Sequence, residues 1–118
     1  MGKTVFIVDD HPSFRASARR MLEADGYEVL GEAEDGAAAL DAVGKLRPDL
    51  VLLDVRLPDI DGFEVAKRLV DADGRTPQIV LTSSNDTTDL GEAIDDSGAR
   101  GFIPKGELTG TAVTALLR

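Results

Sequence analysis

A single parallel sheet with helices on both faces is the fold class this sequence predicts, and two observations predict it. Strand-like and helix-like segments alternate five times along the chain, and two of the strand-like runs, Val5-Phe6-Ile7-Val8 and Leu50-Val51-Leu52-Leu53, are apolar without a break. Regular alternation calls for right-handed crossovers in a doubly wound α/β sheet. An unbroken, β-branched apolar run marks a strand buried on both faces. Both runs stop on carboxylates, Asp9-Asp10 and Asp54. The C-terminal ends of parallel strands form the ligand crevice of such sheets, so these acids are expected to meet at one edge.

In order, strands are predicted at residues 4–9, 28–33, 50–54, 78–82 and 101–103. Helical spacing joins Phe14, Ala18, Met21 and Leu22, then Ala37, Leu40, Val43 and Leu46, then Phe63, Ala66, Leu69 and Val70. Weaker helical patterns cover 90–97 and 108–117. Gly26, Gly74 and Gly98 read as helix stops, and Gly44-Lys45 reads as the end of helix two. Pro48 and Pro77 fix the approach to strands three and four. Periodicity does not give the strand order, but Pro104 donates no ladder hydrogen bond and favours strand five at an edge. No linker, repeat or low-complexity segment interrupts the 118 residues, so one domain over 1–118 is expected.

Composition narrows the function. A chain of this length buries about two thirds of its unfolded surface, enough for a core without staples. It has no cysteine, which removes disulfides, thiolate metal sites and thiol catalysis and fits a reducing compartment. No apolar stretch approaches the ~20 residues of a membrane span, and Met1-Gly2-Lys3 leads into a strand, not a signal peptide. A cytoplasmic protein is the expectation. With 22 acids against 13 bases, the net charge of −9 opposes nucleic-acid binding by this segment alone.

The strand-end residues carry a resemblance. Asp9-Asp10 after strand one, Asp54 after strand three, Thr82 after strand four and Lys105 after strand five are similar to the signature of response-regulator receiver domains of two-component signalling. Pro58, Asp61-Gly62 and Phe102 extend the match over essentially the whole chain. The resemblance implies a flavodoxin-like five-stranded sheet in the order 2-1-3-4-5 with five helices. It also implies a switch in which Asp54 accepts a phosphoryl group from a histidine kinase or phosphotransfer protein. The Mg2+ that assists would be held by Asp9, Asp10, Asp54 and the backbone carbonyl of Arg56. Lys105 and Thr82 would contact the phosphoryl oxygens, Thr82 and Phe102 would form the switch, and Arg56 and Ser84 would tune the lifetime of the phosphorylated form. The changed surface would be helix four, strand five and helix five, through which a homodimer is one arrangement the resemblance allows. Such a protein catalyses its own modification and turns over no external substrate.

The chemistry asks for the same residue types. A carboxylate attacking a phosphoryl donor brings anion to anion, so a divalent cation must bridge them, and Mg2+ takes oxygen ligands from one or two carboxylates plus waters. Blander roles compete. An acid after a buried strand is often only a helix cap, although Asp9, Asp54 and Lys105 in register make capping a poor sole explanation for Asp10. Thr82 alone is an ordinary strand terminus, with Ser83 and Ser84 as neighbouring hydroxyls, and Phe102 alone is a core residue.

His11 is the only histidine, which excludes a multi-histidine metal cluster, and it and Ser13 read as plain loop residues. Asp59-Ile60-Asp61-Gly62 fails as a calcium loop because its glycine is fourth, not sixth. Gly44-Lys45 lacks the remainder of a phosphate loop. Many receivers place proline directly after the lysine; here Pro104 precedes Lys105 and Gly106 follows it, which puts a cis bond there in doubt.

Two rivals belong to other classes. A flavin-binding electron carrier shares the sheet order but needs a phosphate loop after strand one, where Asp9-Asp10-His11-Pro12 would repel the phosphate. An aspartyl-phosphate hydrolase would place its nucleophile after the first strand and needs a cap for which the chain has no spare residues.

Overall fold

The computed structural model describes residues 3–70, 77–84 and 91–117. Strand β1 (Thr4–Val8) leads to α1 (Pro12–Ala24), β2 (Glu28–Ala33) to α2 (Gly36–Leu46), and β3 (Leu50–Asp54) to α3 (Gly62–Val70). Then follow β4 (Gln78–Ser83), α4 (Gly91–Ser97), β5 (Gly101–Pro104), a 3-10 turn (Lys105–Glu107) and α5 (Gly110–Leu116). The five strands pair in parallel in the order β2-β1-β3-β4-β5, the order the family resemblance implied. Strand β5 lies at an edge, where Pro104 lacks no partner.

The continuous apolar runs work by alternation across the sheet. Val5 and Ile7 of β1 and Leu50 and Leu52 of β3 face α1 and α5, packing with Leu22, Ile103 and Val113. Phe6, Val8, Val51 and Leu53 face the other way, against Val43 of α2 and Val65 and Leu69 of α3. Burying each such side chain contributes about 1.5–3 kcal/mol, so the interior strands β1 and β3 anchor both layers. Edge strand β2 is only partly covered, and its Glu32 pairs with Arg15 at 3.0 Å and Arg19 at 2.7 Å on α1.

Several boundaries move by a residue or two for visible reasons. Strand β1 ends at Val8 instead of residue 9, because the Asp9 side chain turns back to accept the His11 backbone N–H at 2.8 Å. Helix α2 runs through Gly44-Lys45 to Leu46, contrary to the sequence expectation, and stops at Arg47 in the left-handed region (φ 50°). Pro48 is the cause, since it disfavours right-handed helical backbone in the residue before it. Helix α5 starts at Gly110 rather than 108: Leu108 is extended and closes the 3-10 turn, and the Thr109 hydroxyl caps the helix by accepting from Ala112 N–H at 3.0 Å. The peptide bonds flanking Lys105 are trans, as are all those described. The stop expected at Gly74 and the helix start expected at 90 lie outside the described residues.

Gly62 fixes how closely α3 approaches the end of β3. Its N–H donates to Val55 C=O at 2.9 Å, and a Cβ there would collide with the Asp54 carbonyl oxygen and stand 2.6 Å from Val55 Cα. Both neighbours are backbone and cannot step aside. Gly62→Ala is therefore expected to lower stability by about 1–3 kcal/mol through overpacking. Gly44→Ala, in open space inside α2, is expected to raise it by about 0.5–1 kcal/mol. Urea midpoints of the two variants check both signs.

Candidate functional site

The strand ends bring the predicted residues together. Asp54 is the last residue of β3, pairs in register with Thr82 of β4, and is 3% exposed. Asp9, one step beyond β1, is fully buried. Lys105 reaches back from the turn after β5, its ammonium 2.7 Å from Asp9 Oδ2 and 3.2 Å from Asp54 Oδ2. The Phe14 ring lies under the same ammonium at 4.6 Å, adding a cation–π contact from α1. Asp10 stands at the rim and is partly exposed. One ligand atom from each of Asp9, Asp10, His11 and Asp54 can be chosen so that all lie within 4.8 Å of one another.

The electrostatics follow from crowding. Burial pushes the Asp54 carboxyl above the ordinary range; the Arg56 backbone N–H, donating at 3.1 Å, opposes this, and the Asp9 charge pushes it further up. Burial pulls Lys105 down, but the Asp9 and Asp54 carboxylates outweigh it and hold the ammonium above its ordinary value. Lys105 is therefore a fixed positive charge. Thr82 Oγ1, on a residue 1% exposed, has no hydrogen-bond partner among the described residues. A buried hydroxyl without a partner costs about 1–3 kcal/mol.

The segment from Asp54 to Gly62 is held at several points. Val55 N–H donates to Thr82 C=O at 2.9 Å, and Asp61 Oδ1 accepts from Phe63 N–H at 2.7 Å to start α3. Asp59 grips a different element: its two oxygens accept from Gly36 N–H at 2.8 Å and Ala37 N–H at 2.9 Å at the start of α2. These donors hold the Asp59 carboxyl below the ordinary range. Gly36 is needed because Val65, Ile60 and Asp59 leave no room for a Cβ. Sequence reasoning examined Asp59 only as part of a failed calcium loop, and nothing in the spacing reveals a cap borrowed across the fold.

Of the other predicted positions, Phe102 is half-buried and packs against the core on the α2 and α3 side. Arg56 and Ser84 are exposed, and Pro58 lies exposed in the loop after Asp54. His11 departs from its expected plain loop role. Its Nδ1 lies 3.0 Å from Asp9 Oδ1 and 3.1 Å from Asp10 Oδ1, inside the acidic group. The detectable signal was its position two residues after Asp9, on a turn whose side chains converge.

Because Asp54 holds its proton more tightly folded than unfolded, its ionisation weakens the fold as pH rises above the unfolded carboxylate value of about 3.9. Asp54→Asn removes that penalty while keeping an oxygen for the Arg56 N–H. The variant, which also gives up the 3.2 Å pairing with Lys105, is expected to melt above the parent at pH 7.5 because desolvation of the charged carboxylate outweighs that pairing. The difference should vanish as pH falls toward 3.9. Paired thermal melts across pH test this, and equal melting temperatures at pH 7.5 would contradict it.

Comparison with known proteins agrees with the geometry. Residues 5–116 match the family model of the response regulator receiver domain. The nitrate/nitrite response regulator protein NarP of Escherichia coli is 40% identical over 102 residues, covering 86% of this chain and 47% of NarP. The DNA-binding response regulator MtrA of Mycolicibacterium smegmatis is 39% identical over 107 residues, 89% of this chain and 45% of MtrA. The chain thus spans about half the length of the curated relatives it matches. The solved signal receiver domain of a response regulator from Mycobacterium tuberculosis superposes with a TM-score of 0.86 at 33% identity, covering 98% of this chain and 97% of that one. On its fold, its strand-end residues and these matches, the chain belongs to the response regulator receiver domain family.

Proposed function

We propose that this chain is a phosphorylation-activated switch whose acceptor is Asp54, charged by the phosphohistidine of a histidine kinase or phosphotransfer protein. The observation that carries this is a buried carboxylate flanked by a fixed ammonium at 3.2 Å and by an orphan hydroxyl in register with it. In the transfer, an Asp54 oxygen forms a bond to phosphorus, the phosphorus–nitrogen bond to the donor imidazole breaks, and the departing imidazole takes up a proton. Lys105 neutralises charge on the transferring group. Thr82 Oγ1 donates to a phosphoryl oxygen and so gains the partner it lacks. Water attack later returns Asp54 to its carboxylate, and the exposed Arg56 and Ser84 at the rim tune that rate.

The donor set fits Mg2+. Asp9, Asp10 and Asp54 supply hard oxygens close enough to share one ion, and the Arg56 backbone carbonyl is the fourth protein ligand that the family resemblance implies. When bound, the ion screens the repulsion between carboxylate and phosphoryl donor. The added charge of about −1.5 to −2 then draws Lys105 and Thr82 toward the phosphoryl group, and Phe102 follows Thr82 inward. A population shift of this kind alters the surface of α4, β5 and α5, where a partner or second copy reads it. The switch works in the cytoplasm, over 1–118 as one receiver unit. No described helix is long and apolar enough to cross a membrane. The acidic loop after β1 and family membership leave the flavin alternative without support.

Incubation with acetyl phosphate and Mg2+ is expected to add one phosphoryl group to the parent and none to Asp54→Asn, read by intact mass; equal modification of both would reject Asp54 as acceptor. Mg2+ at about tenfold its dissociation constant should add ~1.4 kcal/mol of stability. A melting temperature indifferent to millimolar Mg2+ would reject the pocket. Arg56→Ala should change the decay rate of the phosphorylated protein, which matched time courses of parent and variant would measure.

A further inference from the structure

We propose that Phe14 is a positioning residue for Lys105: the face of its ring holds the ammonium turned into the crevice when Mg2+ claims the acids on which that ammonium rests. This rests on the assignment of Asp54 as acceptor and of the pocket to Mg2+. The backbone gives Lys105 little support. Its 3-10 turn is closed by Leu108 N–H donating to Lys105 C=O at a long 3.3 Å, and the next residue, Gly106, is exposed with open space around it. Beside the turn lies a cleft of about 560 Å3, lined by Ser13, Phe14, Ser17, Met21 and Leu108 together with Lys105 itself. A lysine stem is long and freely rotating, so the cleft offers the ammonium a way out into water. The side chain is nevertheless only 13% exposed.

What holds the ammonium inward falls into two kinds. Asp9 Oδ2 at 2.7 Å and Asp54 Oδ2 at 3.2 Å are charged partners, and both belong to the acids assigned to Mg2+. Their oxygens cannot serve the ion and the ammonium at full strength together, and two cations in one crevice repel. His11 Nδ1 stands farther off, at 3.4 Å, and is closer to Asp9 and Asp10 than to Lys105. The Phe14 ring is the other kind, with its centroid 4.6 Å from the ammonium. A ring offers Mg2+ no oxygen, and its pull on a cation comes from a fixed quadrupole that the ion does not use up. Phe14 is itself seated against the core beneath α1, so its place does not depend on the acids. Lys105 therefore keeps one inward hold after its ion pairs weaken, and is already aimed at the crevice when a phosphoryl oxygen arrives.

Phe14→Leu keeps an apolar side chain and removes the ring. At saturating Mg2+ its initial rate of phosphoryl uptake from acetyl phosphate is expected to fall about two- to fivefold. Its Mg2+ affinity should stay equal or rise, because a loosened ammonium competes less for the acids; general slackening of the crevice would weaken both. Mono-, di- and trifluorophenylalanine placed at position 14 keep the ring nearly isosteric while draining negative charge from its face, so the rate should fall stepwise along the series. Met21→Leu, a packing change in the same cleft, should match the parent. The ε-methylene protons of Lys105, shielded by the ring in the parent, should return toward their ordinary NMR positions in Phe14→Leu. A rate indifferent to Phe14→Leu, a flat fluorine series, an equal loss in Met21→Leu or a parallel loss of Mg2+ affinity overturns the proposal. A parent that takes up no phosphoryl group overturns the switch reading instead. The Lys105 proton shifts then decide on the ring: shifts that follow the fluorine series sustain its hold, and shifts indifferent to it overturn the proposal too.

Discussion

Carboxylates forced together at the end of a buried sheet set the terms for everything around them. Asp9 and Asp54 are almost wholly buried because β1 and β3 are interior strands, and a strand covered on both faces delivers its next residue into the covered edge. Left alone, such a pair would be costly to ionise. Lys105 answers both, and its position in turn depends on the tight 3-10 turn after β5 and on the Phe14 ring beneath it. The fold is thus shaped around a charge imbalance that one ammonium only partly corrects.

That incomplete correction is what gives the edge its chemistry. A pocket with its acids fully paired would have no affinity for a cation and no reason to change when a phosphoryl group arrives. Here a hydroxyl without a partner among the described residues, a carboxyl held above its ordinary range and an exposed third acid coexist within one crevice. Each is unfavourable in the resting molecule. On the switch we propose, each would be relieved by metal or phosphoryl, so the unfavourable features and the responsive ones would be the same atoms.

The architecture was legible because both central strands write their burial as unbroken apolar runs, and the carboxylates, Thr82 and Lys105 sit where those runs and their neighbours end. Apart from the edge place of strand five, which Pro104 signalled, strand order came from family resemblance, since periodicity reports which faces are buried and not which strands are adjacent. The misjudged end of α2 was a local contest between Gly44, which is tolerated inside a helix, and Pro48, which forces Arg47 out of one. His11 and Asp59 were underestimated for a different reason. Their partners depend on how a turn folds back or on an element over twenty residues away, as with the contact from Asp59 to Gly36. No one-dimensional spacing encodes such contacts.

The double grip of Asp59 on the first turn of α2 gives the segment between β3 and α3 a fixed span. With Gly62 pressed against the backbone of Asp54 at one end and Asp59 moored to Gly36 and Ala37 in the middle, there is no slack for an inserted or deleted residue. A change in the length of this connection would therefore disturb α2 as well as the crevice, since Asp59 ties the two together.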